Sequence, residues 1–301
     1  MLGSTSSTHK PPRKIRGPEQ NPRKVSGLVA WYDFSDTTTL WVERDSFTTQ
    51  VASNGDSIGR IQNKATGGAR MGEFLRATNN AERPTYQSGW GRFDGSNDSL
   101  WGYGTSESVG KTQGTASGKF SDVQLNPNDL TIFAVVNADS SSIGADGYIL
   151  AISGTATNDN AEDVTIVLRH ESSTNDIVYG AAYESETDVE INSGTNLAAS
   201  ATLIRVETSG SFGGTARIFL NDDTLPDVAG DITNDQSRVL EQTQHNLHGF
   251  CIGELITSAI GQVGTGLFDG DIGEILIYNR VLKSLEVSNI KKGLGNKWSL
   301  W

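Results

Sequence analysis

Cysteine is nearly missing from this sequence: Cys251 stands alone among 301 residues. That excludes an intrachain disulfide framework and any cysteine-cluster zinc site, and it points to a chain made in a reducing cytoplasm. Long apolar runs are also missing. No window approaches the roughly 18 to 20 consecutive apolar residues of a membrane-spanning helix, so no membrane partner is expected. The opening MLGSTSSTHKPPRKIRG has no apolar stretch behind its basic residues and does not read as a secretory leader. Positive charge is scarce, with 24 Lys and Arg against 36 Asp and Glu for a net charge of −12. A balance this acidic argues against a nucleic-acid partner. Helical punctuation is scarce as well, whereas 34 glycines and a 36% hydrophobic content suit a turn-rich globular chain with a sizeable core.

The charge is unevenly spread. Residues 1 to 25 hold six bases (Lys10, Arg13, Lys14, Arg16, Arg23, Lys24) and one acid, Glu19, giving +5 and leaving −17 on the remainder. Four of the seven prolines, Pro11, Pro12, Pro18 and Pro22, fall here too. With almost nothing apolar to bury, residues 1–26 are expected to form an extended arm whose bases meet an acidic surface on a partner. The folded domain is expected over 27–301.

From Gly27 onward the recurring unit is a short apolar run bounded by Gly, Asn, Asp, Ser or Thr, the pattern of strands joined by turns. In TIFAVVNA and DIGEILIYN both alternating faces are largely apolar, which places these strands centrally between two layers. In VTIVLRH and ARIFLN an arginine interrupts one face and predicts a side open to solvent. One helix is expected, with Ser284 as N-cap, Glu286 in the first turn and Gly293 as its stop. The stretches Thr37 to Pro84 and Gly102 to Asp122 are poor in core residues and read as long surface loops. Asp94-Gly95 has the chemistry of a tight hairpin turn.

The segments GLVAWYDFSD, GRFDGSNDSL, LTIFAVVNA and FDGDIGEILIYNRVLKSLEVSNIKKGLGNKW together resemble the laminin-G-like, concanavalin A-like domains. The ending is the most specific part: a DIGEILIYN strand, an R-x-L turn at Arg280 to Leu282, a short helix and the pair Lys297-Trp298 follow in the family's order. The resemblance covers about residues 27 to 298 and implies an all-β jelly-roll sandwich of two antiparallel sheets, with first and last strands as neighbours. Trp31, Tyr32 and Phe34 would then face Ile275, Ile277 and Tyr278. Copies of this domain without a secretion signal are similar to accessory structural proteins of tailed bacteriophages. The resemblance thus implies a non-enzymatic virion component, a capsid decoration or a tail or neck appendage. It would be held to a major capsid protein or a tail or neck protein through Lys10, Arg13, Lys14, Arg16, Arg23 and Lys24. A homo-oligomer is left open.

Other chemistry is weaker. Glu186, Asp188 and Glu190 alternate in AYESETDVEIN and resemble the E-x-D-x-E signature of laminarinase-type glycoside hydrolases, which would make Glu186 nucleophile and Glu190 acid/base. Thr187 replaces the usual apolar residue and no tryptophan is near, so a solvated acidic strand explains the run better. His245 and His248 lack a third metal ligand at suitable spacing. Asp94, Asn97 and Asp98, or Asp222 and Asp223, are candidates for calcium, but both runs are ordinary turn sequences. No cofactor is required by the sequence. A better rival to the virion role is a lectin-like module for surface glycans, with Trp90, Trp101 and Tyr103 as a stacking platform; core packing competes for both tryptophans. Trp298 and Trp301 are expected to pin the C-terminal segment.

Overall fold

The computed structural model describes residues 21–66, 73–102, 129–139, 146–155, 165–171, 173–182, 189–194, 197, 200–209, 215–224, 226–231, 246–254 and 266–301. In chain order the strands are β1 (Leu28–Asp33), β2 (Leu40–Trp41), β3 (Arg60–Gln62), β4 (Phe74–Arg76), β5 (Thr85–Gln87), β6 (Trp90–Asp94), β7 (Leu100–Gly102), β8 (Leu130–Ala138) and β9 (Gly147–Thr155). They continue with β10 (Thr165–His170), β11 (Ile177–Ala182), β12 (Val189–Asn192), β13 (Thr202–Ser209), β14 (Thr215–Leu220), β15 (Val228–Asp231), β16 (Asn246–Ile252) and β17 (Asp269–Tyr278), followed by the helix α1 (Ser284–Trp298).

All pairings among these strands are antiparallel, and they form two sheets. An eight-stranded sheet runs β15-β14-β13-β8-β17-β6-β5, with β1 also on β17; a nine-stranded sheet runs β12-β11-β10-β9-β16-β7-β4-β3-β2. This is the expected all-β sandwich. The first and last strands are neighbours, with Tyr32 opposite Ile275 and Trp31 opposite Leu276.

Alternation explains why the central strands are apolar on both faces. From β8, Ile132, Ala134 and Val136 enter the space between the sheets together with Ile275 and Ile277 of β17, Tyr32 of β1, and Phe250 and Ile252 of β16. The intervening Phe133, Val135, Leu276 and Tyr278 point to the outer face of the eight-stranded sheet, where α1 covers them with Val287, Ile290, Leu294 and Trp298. Those four helical positions recur at three- and four-residue spacing, one stripe of the helix surface. Gly273 permits this seal: a Cβ there would lie 2.7–2.9 Å from the Trp298 ring.

Several local expectations need correction. The segment read as a loop from Thr37 to Pro84 contains β2, β3 and β4, with Leu40, Ile58, Ile61 and Leu75 wholly buried. Single large apolar residues spaced by polar ones suffice for such short strands, and no periodic run announces them. The helix does not stop at Gly293: Lys283 takes the N-cap position, the Glu286 carboxylate accepts from the Lys283 amide at 2.8 Å, and the chain leaves the helix at Ser299 with φ 55°. Burial of Leu294 and Trp298 outweighs the weak helical preference of the intervening glycines. Asp94-Gly95 turns the chain, with φ 69° at Gly95, but it joins β6 to β7 and so carries the chain from one sheet to the other rather than closing a hairpin. Arg169 does not open its strand to solvent; it is buried and paired with Asp146. Trp298 pins the C-terminal segment from within the core, whereas Trp301 is half-exposed and rests its ring on α1 at Gly295.

Candidate functional site

The residues singled out from sequence do not converge. Trp90 is 2% exposed, its ring centroid 4.4 Å from that of Trp298 beneath α1. Trp101 is 6% exposed, and its indole N–H donates to Ser99 Oγ at 3.0 Å and to Glu254 Oε2 at 2.9 Å. Neither ring offers a free face to a ligand, and Tyr103 lies outside the described residues. So do Lys10, Arg13, Lys14, Arg16, Glu186, Asp188 and His245. Glu190 sits on β12 opposite Gly180, and His248 lies in β16.

Arg23 and Lys24, assigned to the arm, belong to a short 3-10 turn at Pro22–Lys24 that rests on the sandwich through the buried Pro22 and Val25. Arg23 Nε donates to the Lys64 carbonyl at 2.8 Å and its guanidinium lies 5.4 Å from the Trp31 ring. Lys24 is exposed. The candidate calcium residues at the β6–β7 corner are occupied with turn bonds. Asp94 Oδ1 accepts from the Ser96 and Asn97 amides, and Asp98 Oδ2 accepts from the Asp94 amide at 3.0 Å. Burial, reinforced by the Asp94 charge, pushes the Asp98 carboxyl up to about 7. Among the described residues no cluster of three or more His, Cys, Asp or Glu is arranged to hold a metal ion.

Two arrangements were not anticipated. The first is a buried charge network under α1. Lys297 Nζ sits 2.6 Å from Asp33 Oδ1 and 2.5 Å from Glu274 Oε2; Lys64 Nζ sits 2.7 Å from Asp33 Oδ2 and 2.6 Å from Asp36. The Trp31 and Trp298 indoles both donate to Glu274, at 2.6 and 3.0 Å. Burial alone would raise the Asp33 carboxyl, but the Lys297 and Lys64 ammoniums hold it well below the usual range. Burial and the Asp33 charge raise Glu274 against the pull of Lys297. Every carboxylate here is met by a cation or an N–H, which makes the network an internal fastener between β1, β17 and α1.

The second is a cleft of about 560 Å³ on the outer face of the eight-stranded sheet, beside α1. Its floor is Arg205 of β13 and Phe219 of β14, directly opposite one another in register, the guanidinium 3.5 Å from the ring centroid. Arg205 Nη1 pairs with Glu207 Oε1 at 3.1 Å. One wall is the turn after β14, where Asp222 meets Lys291 Nζ at 3.0 Å and the Asp223 carbonyl accepts from the same ammonium at 3.1 Å. The other wall is the α1 flank bearing Ser284, Ser288 and Lys292. Trp301, 52% exposed, stands at the rim. The sequence held a signal for this site: Arg205 and Glu207 alternate on one face of β13, opposite the face that carries Ile204 and Val206. Their proximity to Lys291 and Trp301 depends on how α1 docks, and no local pattern encodes that.

No protein-family model matches the sequence. No curated protein sequence matches it either. Solved structures are similar at the level of backbone. The CBM40 of the Ruminococcus gnavus IT-sialidase aligns with 54% of this chain and 83% of its own at 12% identity and a TM-score of 0.39. A leech intramolecular trans-sialidase aligns with 56% of this chain and 23% of its own at 13% identity and a TM-score of 0.39. A Trypanosoma rangeli sialidase in complex with sialic acid aligns with 89% of this chain and 33% of its own, at 11% identity and a TM-score of 0.49. The chain thus spans about a quarter to a third of the length of these two enzymes. Similarities of this size carry no statement about ligand or activity. Among the described residues no helix is long and apolar enough to cross a membrane.

Proposed function

We propose that this chain is a non-catalytic carbohydrate-binding module and that the cleft beside α1 is its sugar site. The observation that carries the reading is the pairing of a half-exposed tryptophan with an oligosaccharide-sized cleft lined by hydroxyls and by charged groups of both signs. An exposed indole face stacks on the C–H face of a pyranose, and fixed donors and acceptors read its hydroxyls. The volume falls within the roughly 300–1,000 Å³ of small-molecule sites. Isothermal titration of the full chain against an oligosaccharide selected from a glycan array tests it. Binding should be lost in Trp301→Ala; a variant that binds as well as the parent would place the ligand elsewhere.

A second reading adds an attachment role. The chain at Asn21–Ser26 is fixed to the sandwich by Pro22 and Val25, and Arg280 Nε donates to the Ser26 carbonyl at 3.0 Å. A basic segment before a fixed root supports an arm that docks, through Lys10, Arg13, Lys14 and Arg16, onto an acidic capsid, tail or neck protein of a virion. A chain truncated at residue 20 should keep its fold and lose co-sedimentation with particles. Undiminished co-sedimentation would remove the arm from the role.

A further inference from the structure

The bases of the cleft indicate which sugars it takes, an inference that rests on the carbohydrate-binding reading and deepens it. They offer more than the lining uses. Lys292 is exposed and, among the described residues, has no ion-pair partner. Arg205 engages Glu207 through Nη1 at 3.1 Å, while its Nε has no hydrogen-bond partner although the side chain is only 9% exposed. Lys291 Nζ is positioned by the Asp223 carbonyl at 3.1 Å and by the Asp222 carboxylate at 3.0 Å, and the Asp222 side chain is 69% exposed. We propose that the cleft binds oligosaccharides carrying a carboxylate, the sugar acid taking on Lys291 the place that Asp222 holds in the free chain, with Lys292 and Arg205 supplying further positive charge.

Asp222 shows that a carboxylate fits on Lys291 in this cleft. An ion pair whose acid is this exposed contributes little, so turning Asp222 out into water costs little. Lys291 does not follow it, because the Asp223 carbonyl keeps its ammonium in place and the lysine side chain is itself 10% exposed. With Asp222 turned away, the lining holds three bases, Arg205, Lys291 and Lys292, against two acids, Glu207 and Asp223, and one ligand carboxylate restores the balance. A sugar hydroxyl in that position is the poorer acceptor, since a bond between two charged partners is about twice as strong as one between neutral groups. The Nε of Arg205 points the same way: an unmet donor in a mostly buried cation is a standing cost, and negative charge brought to the cleft floor offsets more of it than a neutral group does. The net charge of −12 on the whole chain opposes an anionic ligand, but it acts over distances at which salt screens it, whereas contacts inside a cleft are screened less. Phe219, 6% exposed, backs the Arg205 guanidinium and leaves ring stacking to Trp301 at the rim.

The test titrates the full chain with oligogalacturonate and oligomannuronate, each against its carboxyl-reduced counterpart, which differs only in carrying a hydroxymethyl group where the acid has its carboxylate. A sulfated galactan oligosaccharide is the further probe. At least one acid should bind about fivefold or more tighter than its reduced form and tighter than the sulfated sugar. Lys292→Ala should lower the affinity for that acid by about two- to fivefold, and Asp222→Asn, which removes the internal competitor, should raise it by a similar factor. Neither variant should change the affinity for the reduced form or the melting temperature, and Trp301→Ala should weaken both ligands. Equal or tighter binding of the reduced forms, still weakened by Trp301→Ala, would overturn the carboxylate assignment and leave the carbohydrate-binding reading standing. So would tightest binding of the sulfated sugar, or a preference for the acid that ignores both Lys292→Ala and Asp222→Asn. Absence of binding to every probe, or binding indifferent to all three variants, would overturn the two readings together.

Discussion

Replacing Lys297 by methionine removes the one ammonium shared by two buried carboxylates. Lys297, Asp33 and Glu274 expose 5, 4 and 0% of their side chains, so water cannot take over the charge that the ammonium neutralises. Asp33 keeps Lys64 at 2.7 Å, but Glu274 retains only the two indole N–H donors. Breaking one side of a buried pair in this way costs about 3–5 kcal/mol. The sign with pH is fixed by Glu274. Its carboxyl already titrates above the usual range through burial and the Asp33 charge, and loss of the Lys297 pull raises it further. A raised acid contributes stability that is present at low pH and lost as the pH rises through its folded-state pKa. The Lys297→Met penalty is therefore largest at about pH 8 and shrinks toward about pH 5. Urea denaturation followed by tryptophan fluorescence at both pH values measures it. Adding Glu274→Gln, whose carbonyl oxygen can still accept from an indole, should recover most of the loss at the higher pH. A single-variant cost below about 1 kcal/mol, or a double variant no more stable than the single, would refute the view that the network fastens α1 to the sheet.

Three further outcomes follow from other sites. Asp98, with its carboxyl up at about 7 from burial and the nearby Asp94, makes the fold less stable as pH rises through neutrality. Asp98→Asn, which keeps an acceptor for the Asp94 amide, should raise the melting temperature by at least about 2–4 °C at about pH 8 and by clearly less at about pH 5, where only part of the penalty has developed. His170 is wholly buried, and burial lowers its pKa below the ordinary 6.5, so its contribution is retained at neutral pH and lost as the pH falls below about 6.5, where the unfolded chain takes up the proton first. Thermal melts of His170→Leu between about pH 5 and 7 should show a flatter pH dependence than the parent. Gly273→Ala would press a methyl group against the Trp298 ring and should cost about 1–3 kcal/mol by overpacking, read by urea denaturation as a lower midpoint.

The parts of this fold that are legible in sequence are those where one residue pattern has one physical cause. LTIFAVVNA and DIGEILIYN carry apolar residues on both faces because the sandwich interior covers one face and α1 the other. The closure of β1 on β17 follows from matched aromatic and β-branched runs. What failed was whatever depends on tertiary contact. The strands between Thr37 and Pro84 are two or three residues long, too short to show a period. The helix crosses Gly293 and Gly295 because its stripe runs on through Leu294 to Trp298. The buried charges were illegible for a related reason: Asp33, Lys64, Glu274 and Lys297 are scattered over the chain, and each alone reads as an ordinary surface residue.

The position of α1 connects stability to recognition. Its inward stripe and Lys297 dock it on the sheet, and its flank, through Ser288, Lys291 and Lys292, forms a wall of the cleft. The opposite wall is a turn held to that helix by Lys291. A site framed by a docked helix and two paired strands is set before ligand arrives, so little ordering entropy opposes binding. Loosening the dock should then weaken the site without touching it. In Lys297→Met at about pH 8, where the network is most disturbed, affinity for the bound oligosaccharide should fall, and it should return toward the parental value at lower pH as Glu274 takes up a proton. Titrations of parent and variant at the two pH values check this. Affinity that ignores the variant at both would mean that the cleft is held by β13, β14 and the turn after β14 alone, and that the charge network serves stability only.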